Sequence, residues 1–351
     1  MRVVVLGATG NVGTSLLAAL ADEPGVDSVL GVARRLPGLQ YPKTDWVEAD
    51  VSSSVLTPLF RGADVVIHLA WLIQPGRDPA VLRATNVDGS ARVFEAVAAA
   101  GVGALVYASS VGAYSPGPKD RRVDESWQTA GIESSFYARH KAEVERLLDH
   151  FERESPSVRV VRLRPGLTFK REAASGIRRL FAGPFLPSPL VRRALIPVVP
   201  RTERLCFQAV HSDDVADAYR RAALDDVSGP FNIAAEPVLD SAELERLLRA
   251  RPVPVHAGLL RAGAALSYRA RLQPTEPGWL DMGLAVPLMD SGRARRELGW
   301  EPRRSATDAL AELLTGIREH AGIDTPPLAR DSGGPLRMRE LLTGVGQKPG
   351  L

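Results

Sequence analysis

Three glycines near the start of the chain constrain its fold more than any other feature. They stand in the run Gly7-Ala8-Thr9-Gly10-Asn11-Val12-Gly13, between the apolar segment Arg2–Leu6 and the helical pattern Val12–Ala21. Glycine permits a tight strand-to-helix turn and lets the backbone approach a pyrophosphate, which the amino end of the helix attracts. The spacing is G-x-x-G-x-x-G rather than the general G-x-G-x-x-G. The turn predicts a dinucleotide site, and the alternative is a turn needed only for close strand–helix packing.

Short apolar segments alternate with helical patterns through the first half of the chain. Segments rich in valine and leucine predict buried parallel strands at Arg2–Leu6, Ser28–Val32, Val65–Ala70, Ala104–Ala108 and Arg159–Leu163. Apolar residues at helical spacing predict helices at Val12–Ala21, Ala84–Ala100 and Ser135–Glu154. This alternation is typical of an α/β fold with a doubly wound parallel sheet of the Rossmann type, whose ligands bind beyond the carboxyl ends of the strands.

The pattern changes after Arg164. Residues 170–204 combine prolines and apolar residues with more basic than acidic side chains, which makes a poor strand–helix repeat. We therefore expect a Rossmann domain of residues 1–169 and 205–235, and a smaller substrate lobe with a closing helix from residues 170–204 and 236–323. Residues 324–351 are rich in proline and glycine and predict a loosely packed tail, whose removal after Asp324 should leave folding nearly intact.

Charge and cysteine content limit the classes of partner and the location. With one cysteine, Cys206, among 351 residues, the chain has no internal disulfide, and we expect a cytoplasmic protein. A net charge of +3 is too small to predict nucleic-acid binding. No apolar run approaches the ~20 residues of a transmembrane helix.

The histidines are scattered and predict no metal site, because none has the spacing of zinc ligands. His68 lies in an apolar strand and predicts a hydrogen-bonded core residue. Near His211, Ser212 and Asp213 predict caps of a helix that begins at Val215 rather than metal ligands.

The end of the second predicted strand bears on the choice of dinucleotide. It reads Gly31-Val32-Ala33-Arg34-Arg35. A site selective for NAD places an acidic residue here to hold the ribose 2′-hydroxyl, whereas arginine suits the 2′-phosphate of NADP. Ala33 occupies the expected acidic position, so we favour NADP over NAD, with Arg34 and Arg35 as phosphate ligands. The alternative is that both arginines are solvated surface charges.

A tyrosine and a lysine one helical turn apart are candidate catalytic residues. Tyr137 and Lys141 share one face of a predicted helix. An unperturbed tyrosine has a pKa near ~10, and a lysine ammonium nearby favours the phenolate and so proton transfer at neutral pH. Ser109 and Ser110 follow the strand Ala104–Ala108, where a hydroxyl can hold a substrate oxygen. The alternative for these serines is a cap of the following turn.

Further short motifs accompany these residues along about the first 235 positions and again at Leu298-Gly299-Trp300. They are the GATGNVG turn, Asp50-Val51, VIHLA at 66–70, Asn86-Val87-Asp88-Gly89, VYASSVGAY at 106–114, YARHK at 137–141, LRPG at 163–166, VHSDDVADA at 210–218 and FNI at 231–233. As a set they make the sequence resemble the extended short-chain dehydrogenase/reductase superfamily, the group of NAD-dependent epimerases and dehydratases.

The resemblance implies roles for individual residues. Ser110 would be the catalytic hydroxyl, Tyr137 the acid/base, and Lys141 would also hold the nicotinamide ribose. The other expected cofactor contacts come from the glycine turn and from the ends of the strands. The glycine turn would contribute Gly7, Thr9, Gly10, Asn11, Val12 and Gly13. Asp50 and Val51 would contact the adenine, Leu69 and Ala70 the ribose and pyrophosphate, and Pro165 and Gly166 would lie near the nicotinamide. Asn86, Ser109, Tyr137 and Lys141 complete the expected cofactor contacts.

Three functions follow from the resemblance, in order of preference. The first is hydride transfer to or from a ketone or secondary alcohol. The second is a nucleotide-sugar epimerase or dehydratase, but the stretch at 196–210 lacks the glycines and the Arg-Asp-Phe of sugar-nucleotide members. The third, a cofactor-sensing protein without turnover, is opposed by the intact serine, tyrosine and lysine. The apolar, arginine-rich residues 177–204 favour a lipophilic or anionic small-molecule substrate, or equally a homodimer contact.

Overall fold

A seven-stranded parallel sheet forms the centre of the protein, in a computed structural model that describes residues 1–73, 78–181, 198–272 and 275–330. The strands are β1 (Arg2–Leu6), β2 (Ser28–Ala33), β3 (Thr44–Glu48), β4 (Val65–His68), β5 (Ala104–Ala108), β6 (Arg122–Val123), β7 (Arg159–Pro165), β8 (Leu167–Phe169), β9 (Val198–Arg201), β10 (Ala209–His211), β11 (Gly229–Ile233), β12 (Arg251–Pro254) and β13 (Leu288–Met289). The order in the main sheet is β11-β7-β5-β4-β1-β2-β3, with every pair parallel. The predicted doubly wound Rossmann sheet is confirmed.

Helices cover both faces of this sheet. They are α1 (Asn11–Ala21), α2 (Thr57–Phe60), α3 (Pro79–Arg83), α4 (Gly89–Ala100), α5 (Phe136–Glu154), α6 (Ala174–Phe181), α7 (Ser212–Leu224), α8 (Ser241–Leu248), α9 (Ala257–Arg269), α10 (Gly278–Ala285), α11 (Gly292–Glu297) and α12 (Ala306–Arg318). A π-helical turn, Ala84–Asp88, joins α3 to α4, so the predicted helix Ala84–Ala100 becomes α-helical only at Gly89. Such turns often occur at functional sites.

The central strand β1 shows how the two layers of the core arise. Val3 and Val5 face one core with α1, α7 and α12, while Val4 and Leu6 face the other core with α2, α4 and α5. Successive side chains of a strand point to opposite faces, and both faces of β1 are buried. The whole strand is therefore apolar. The strand order reverses between β1 and β4, and ligands bind in the crevice at such a reversal.

Besides the main sheet, the described part of the chain forms three small two-stranded sheets, which pair β8 with β10, β9 with β12 and β6 with β13. Residues 205–235 contribute β10, α7 and β11, and β11 extends the main sheet beyond β7. Of the basic, apolar segment 170–204, residues 170–181 form a short turn and α6, and residues 198–201 form β9. The middle of that segment, residues 182–197, lies outside the described residues.

Helix α7 begins earlier than the sequence predicts. Ser212 and Asp213 lie in its first turn, and its cap is His211, whose Nδ1 accepts from the Asp213 backbone N–H at 3.1 Å. The predicted caps at Ser212 and Asp213 are therefore wrong. The reason is tertiary, because the Asp213 carboxylate accepts instead from the Ser15 hydroxyl at 2.7 Å, and the Ser212 hydroxyl donates to the Asn11 carbonyl.

The start of the expected tail packs against the rest of the protein. Thr325 and Leu328 are buried, and the Gly38 N–H donates to the Asp324 carbonyl at 3.2 Å. The expectation of loose packing from Asp324 onwards is wrong for residues 324–330, and a chain ending at Asp324 would lose two buried side chains. Residues 331–351 lie outside the described residues.

Within the described ranges, no helix is both long and apolar enough to span a bilayer. In the same ranges, no cluster of three or more histidine, cysteine, aspartate or glutamate side chains is arranged to hold a metal ion. His68 is fully buried with its Nε2 3.0 Å from the Ser90 hydroxyl, which confirms it as a hydrogen-bonded core residue.

Candidate active site

The glycine turn after β1 closes as tightly as its sequence implies. Gly7 has φ +80°, and a Cβ added there would lie 2.7 Å from the Ala70 amide nitrogen. A Cβ at Gly13 would lie 2.5 Å from the Gly7 carbonyl oxygen, so neither position tolerates a side chain. Gly10 begins α1 without a side-chain cap, and the first turn of the helix has no acidic residue. The amino end of α1 is therefore open to an anion.

Asn11 places an unused acceptor beside this turn. Its Nδ2 donates to the Thr168 carbonyl at 3.0 Å, while its buried Oδ1 has no hydrogen-bond partner among the described residues. Buried polar atoms are usually satisfied, so the free oxygen indicates a missing donor. A sugar hydroxyl at Asn11 and a pyrophosphate at the glycine turn would fill the site, so the residues present fit a dinucleotide.

The structure brings most of the expected cofactor residues to the carboxyl edge of the sheet. Leu69 and Ala70 lie against Gly7, and the Leu69 N–H donates to the Leu6 carbonyl at 2.9 Å. Pro165 ends β7, and the Gly166 N–H donates to the Ile233 carbonyl at 3.0 Å. The remaining expected residues also follow strands or lie in the turn. Thr9 is buried, Val12 lies in α1 and packs on the core, and Asp50 and buried Val51 follow β3.

Arg34 and Arg35 lie exposed just beyond β2. The Gly7 N–H donates to the Val32 carbonyl at 3.0 Å, which puts the end of β2 next to the glycine turn. Neither arginine makes a hydrogen bond or an ion pair with the described residues. Both arginines therefore follow the strand end next to the glycine turn, and no carboxylate among the described residues neutralises them.

Tyr137 and Ser110 meet where β5 and α5 approach each other. The Tyr137 ring packs over Gly112, where a Cβ would lie 2.9 Å from it. Burial raises the pKa of Tyr137, and the nearby Ser110 hydroxyl, which lowers it, offsets that shift only in part. The Ser110 Oγ also accepts from the Gly112 N–H at 3.0 Å, so Ser110 both caps its turn and faces Tyr137. The two hydroxyls converge as a site for a reacting oxygen requires.

Lys141 acts on Tyr137 less directly than its spacing suggests. Its side chain is buried, and its Nζ donates to the Ala108 carbonyl at 2.5 Å and lies 3.4 Å from the centroid of the Trp71 ring. The Nζ is 5.9 Å from the Tyr137 ring centroid. Burial lowers the pKa of Lys141 well below its ordinary value, and attraction to Glu145 opposes the shift. In this arrangement burial, which favours the neutral phenol, dominates the pKa of Tyr137.

A buried carboxylate, Glu145, supports the site and was not singled out from the sequence. It accepts hydrogen bonds from Ser109 Oγ at 2.5 Å, Arg164 Nε at 2.8 Å and Arg162 Nη1 at 2.9 Å. Burial by itself would raise the pKa of Glu145, but Arg164, Arg162 and Ser109 outweigh it and hold the value at about 2. The Ser109 hydroxyl is thus engaged by Glu145, so Ser109 supports β5 rather than facing a cofactor.

The signal for this cluster was present in the sequence but incomplete. Glu145 follows Lys141 by one helical turn. Arg162 and Arg164 are two residues apart, so they share one face of a strand that is otherwise apolar. Such a pattern predicts that the charges share a side, but only the packing of α5 on β7 shows that they meet.

Asn86 holds the segment that follows β4. It is fully buried, its Oδ1 accepts from the Leu72 N–H at 2.7 Å, and its Nδ2 donates to the Leu72 carbonyl at 2.8 Å. The supporting role implied for Asn86 takes this form, a clamp on the backbone next to Trp71. No sequence pattern indicated that Trp71 or Trp279 would reach Tyr137.

Comparison with known proteins places the chain among related sequences and folds. The model of the NAD-dependent epimerase/dehydratase family matches residues 3–234. An uncharacterized protein of Mycobacterium tuberculosis is 29% identical over 326 residues, which are 92% of this chain and 31% of that protein. The chain therefore spans about a third of the length of the curated relatives that it matches first.

Two further proteins are similar over nearly their whole length. A UDP-glucose 4-epimerase of Mycolicibacterium smegmatis is 26% identical over 343 residues, 91% of this chain and 99% of the epimerase. The crystal structure of a short-chain dehydrogenase/reductase superfamily protein from Agrobacterium tumefaciens, with bound NAD, has a TM-score of 0.68 at 22% identity, over 91% of this chain and 98% of that one.

Proposed function

The chain belongs to the NAD-dependent epimerase/dehydratase family, and from that premise we propose that it is a nicotinamide-dependent oxidoreductase acting on a ketone or secondary alcohol. The observation behind this proposal is that Ser110 and the Tyr137 ring meet at Gly112, beside buried Lys141, at the carboxyl edge of the sheet. A binding protein without turnover has no need for this arrangement of groups.

The nicotinamide ring would supply or accept the hydride, and the protein would bind and orient it. The open amino end of α1 and the glycine turn suit the pyrophosphate, and the unused Asn11 Oδ1 suits a sugar hydroxyl. Lys141 would hold the nicotinamide ribose, in exchange for its present contacts with the Ala108 carbonyl and Trp71.

Proton transfer falls to Tyr137 in this proposal. Because burial raises the pKa of Tyr137, its hydroxyl keeps a proton at neutral pH and can donate it to the oxygen of a ketone. Ser110 would donate a hydrogen bond to the same oxygen and so fix its position. The Lys141 ammonium, released from Ala108, would stabilise the phenolate that remains.

One observation favours a nucleotide-sugar epimerase or dehydratase as second candidate, namely the M. smegmatis relative named UDP-glucose 4-epimerase. In that reaction the hydride returns to the same substrate. Against it, Gln208 lies in the segment where sugar-nucleotide members have Arg-Asp-Phe. Its side chain is buried and bonded to the Met289 backbone, with Nε2 2.9 Å from the carbonyl oxygen, so it is not free to bind a substrate.

A panel of ketones incubated with NADPH, followed by absorbance, tests the proposal and separates the candidates. Net oxidation of NADPH by a ketone supports the oxidoreductase. Interconversion of UDP-glucose without net change in the cofactor would establish the second candidate instead. Cofactor binding with neither reaction would leave only the sensing protein.

Within this proposal we expect NADP to be the preferred cofactor. Arg34 and Arg35 are exposed and unneutralised, and Ala33 offers no carboxylate. A charge-assisted hydrogen bond to a phosphate contributes about 1.5–3 kcal/mol, which corresponds to roughly a ten- to hundredfold preference for NADPH over NADH. The double variant Ala33→Asp with Arg34→Ala should reverse this preference, because its carboxylate accepts from the 2′-hydroxyl and repels the phosphate.

Fluorescence titration with both reduced cofactors measures this preference. Arg153→Ala, which removes an exposed arginine near the carboxyl end of α5, is the control and should leave both affinities unchanged. Equal affinities in the wild type, or tighter NADH, would mean that the arginines point to solvent.

A further inference from the structure

Two tryptophans flank the ring of Tyr137. The Trp279 ring centroid lies 4.9 Å from that of Tyr137 with 35° between the planes, and the Trp71 centroid lies 5.9 Å away at 74°. All three rings are half-buried, whereas Ile132 and Met282, which pack with Tyr137 and Trp279 in one cluster, are buried. A partly accessible aromatic surface, made by Trp71, Tyr137 and Trp279, therefore lies beside the reacting hydroxyl. We call it the aromatic recess.

Both tryptophans lie next to backbone segments that are fixed by close contacts. Trp71 precedes Leu72, whose N–H and carbonyl are both bound by Asn86. Trp279 follows Gly278, which packs so closely on the start of α5 that a Cβ would lie 2.2 Å from the Ser134 carbonyl oxygen. Because the Asn86 side chain and the close contact at Gly278 fix these two backbone segments, the recess is formed before any substrate arrives.

The charged side chains recorded near the recess have partners of their own or belong to the proposed catalytic set. The Glu276 Oε1 accepts from the Phe136 N–H at 3.0 Å, and the Asp281 Oδ1 pairs with Arg261 at 2.8 Å. Lys141 lies on the face of Trp71. The buried Nε1 of Trp71 has no hydrogen-bond partner among the described residues. Among the described residues, the recess is therefore made mainly of apolar ring faces.

These properties select one class of substrate over another. A sugar has hydroxyls around its whole ring, and each one loses free energy if it is buried without a partner. A flat hydrocarbon ring instead gains by stacking on indole and phenol faces, beyond the gain from burial alone. Its single carbonyl oxygen finds donors in Ser110 and Tyr137.

Resting on the proposed function, we propose that Trp71 and Trp279 determine specificity and select a flat, uncharged ring ketone, or the corresponding secondary alcohol. The ring stacks in the aromatic recess with its carbonyl oxygen at Ser110 and Tyr137. In reduction, the carbonyl carbon takes a hydride from the reduced nicotinamide dinucleotide and the oxygen takes the Tyr137 proton. The products are the secondary alcohol and the oxidised dinucleotide, and the phenolate is reprotonated from water.

The test compares a ring ketone, indan-1-one, with an open-chain ketone, butanone. We expect the wild type to favour indan-1-one by about 10- to 100-fold in kcat/KM, the range that a hydrophobic pocket reaches. Trp279→Ala should raise the KM for indan-1-one by about the same factor, and it should change the KM for butanone less than about threefold. Trp279→Phe keeps an aromatic ring and should restore most of the preference, which guards against a folding defect.

Trp46→Phe is the matched control, because Trp46 lies in β3 and packs on Gly31 of the neighbouring strand. This variant should leave kcat/KM unchanged for both ketones. Equal kcat/KM for both ketones in the wild type, or equal losses for both in Trp279→Ala, would overturn the assignment of specificity to the recess. Either result would leave the proposed function intact.

If the wild type reduces neither of these ketones nor any other ketone of the panel, the proposed function fails, and binding of indan-1-one then tests the recess. Calorimetric titration with indan-1-one should then show binding that Trp279→Ala weakens by about 10-fold or more and that Trp46→Phe leaves unchanged. Absence of binding, or binding that does not depend on Trp279, would overturn the recess as well.

Discussion

Tyr137→Phe should lower turnover by roughly 10²–10⁴, the usual contribution of general acid–base catalysis. The change removes one hydroxyl and keeps the ring that packs over Gly112 and against Trp279. The affinity for NADPH should barely change, because the glycine turn and α1 are untouched. Steady-state kinetics on a ketone that the wild type reduces, together with a fluorescence titration of NADPH, measure the two effects separately.

Tyr41→Phe, in the loop between β2 and β3, is the control for loss of a tyrosine hydroxyl and should keep wild-type turnover. A Tyr137→Phe protein with unchanged turnover would remove Tyr137 from the mechanism. A loss of NADPH affinity equal to the loss of turnover would instead make Tyr137 a cofactor ligand without a role in proton transfer.

Glu145→Gln should destabilise the protein by about 3–5 kcal/mol, the usual cost of breaking a buried ion pair. Glu145 is buried together with Arg162 and Arg164, whose side chains are 6% and 5% exposed. The amide has no charge to balance the two guanidinium groups, and its N–H₂ cannot accept their hydrogen bonds. Urea denaturation at neutral pH measures the loss as a change in the free energy of unfolding.

Glu152→Gln is a matched control, because Glu152 also pairs with Arg162, at 2.5 Å, but is 37% exposed. Solvent screens such a pair, so this variant should lose about 1 kcal/mol or less. Equal losses in the two variants would show that burial of Glu145 does not matter.

The pH dependence of stability provides a second measurement on Glu145. The folded pKa of about 2 lies below the ordinary value of 4.5, so the charged form stabilises the folded state. That contribution is complete above the ordinary value and is lost as pH falls from about 4.5 towards 2. The Glu145→Gln protein should therefore lose less stability than the wild type over this acid range. An unchanged slope would contradict the assignment.

Sequence patterns predicted five of the seven strands of the central sheet, but not β3 or β11. The bounds of β1 and β5 match the predicted Arg2–Leu6 and Ala104–Ala108, and α5 begins one residue after the predicted start at Ser135. These elements are predictable because periodic apolar residues, glycine turns and strand length act locally. The placement of the glycine turn, Ser110, Tyr137 and Lys141 at one edge follows from the same rules, since the carboxyl ends of parallel strands share an edge.

Contacts between residues far apart in sequence escaped prediction. Arg162 and Arg164 lie in a strand that reads as apolar, and only the approach of α5 supplies the carboxylate that permits their burial. His211 caps α7 because the Asp213 carboxylate accepts a hydrogen bond from Ser15 in α1 instead of capping the helix.

By itself, the sequence determined most of the sheet, the glycine turn and the candidate reacting side chains, because each depends on neighbours within a few residues. The tertiary structure alone decided the surroundings of Tyr137. It brought Trp71, from the segment after β4, and Trp279, from α10, against the Tyr137 ring, and it buried Lys141 against Trp71. Burial and desolvation depend on how whole elements pack, and so do the pKa of Tyr137 and the surface that meets the substrate.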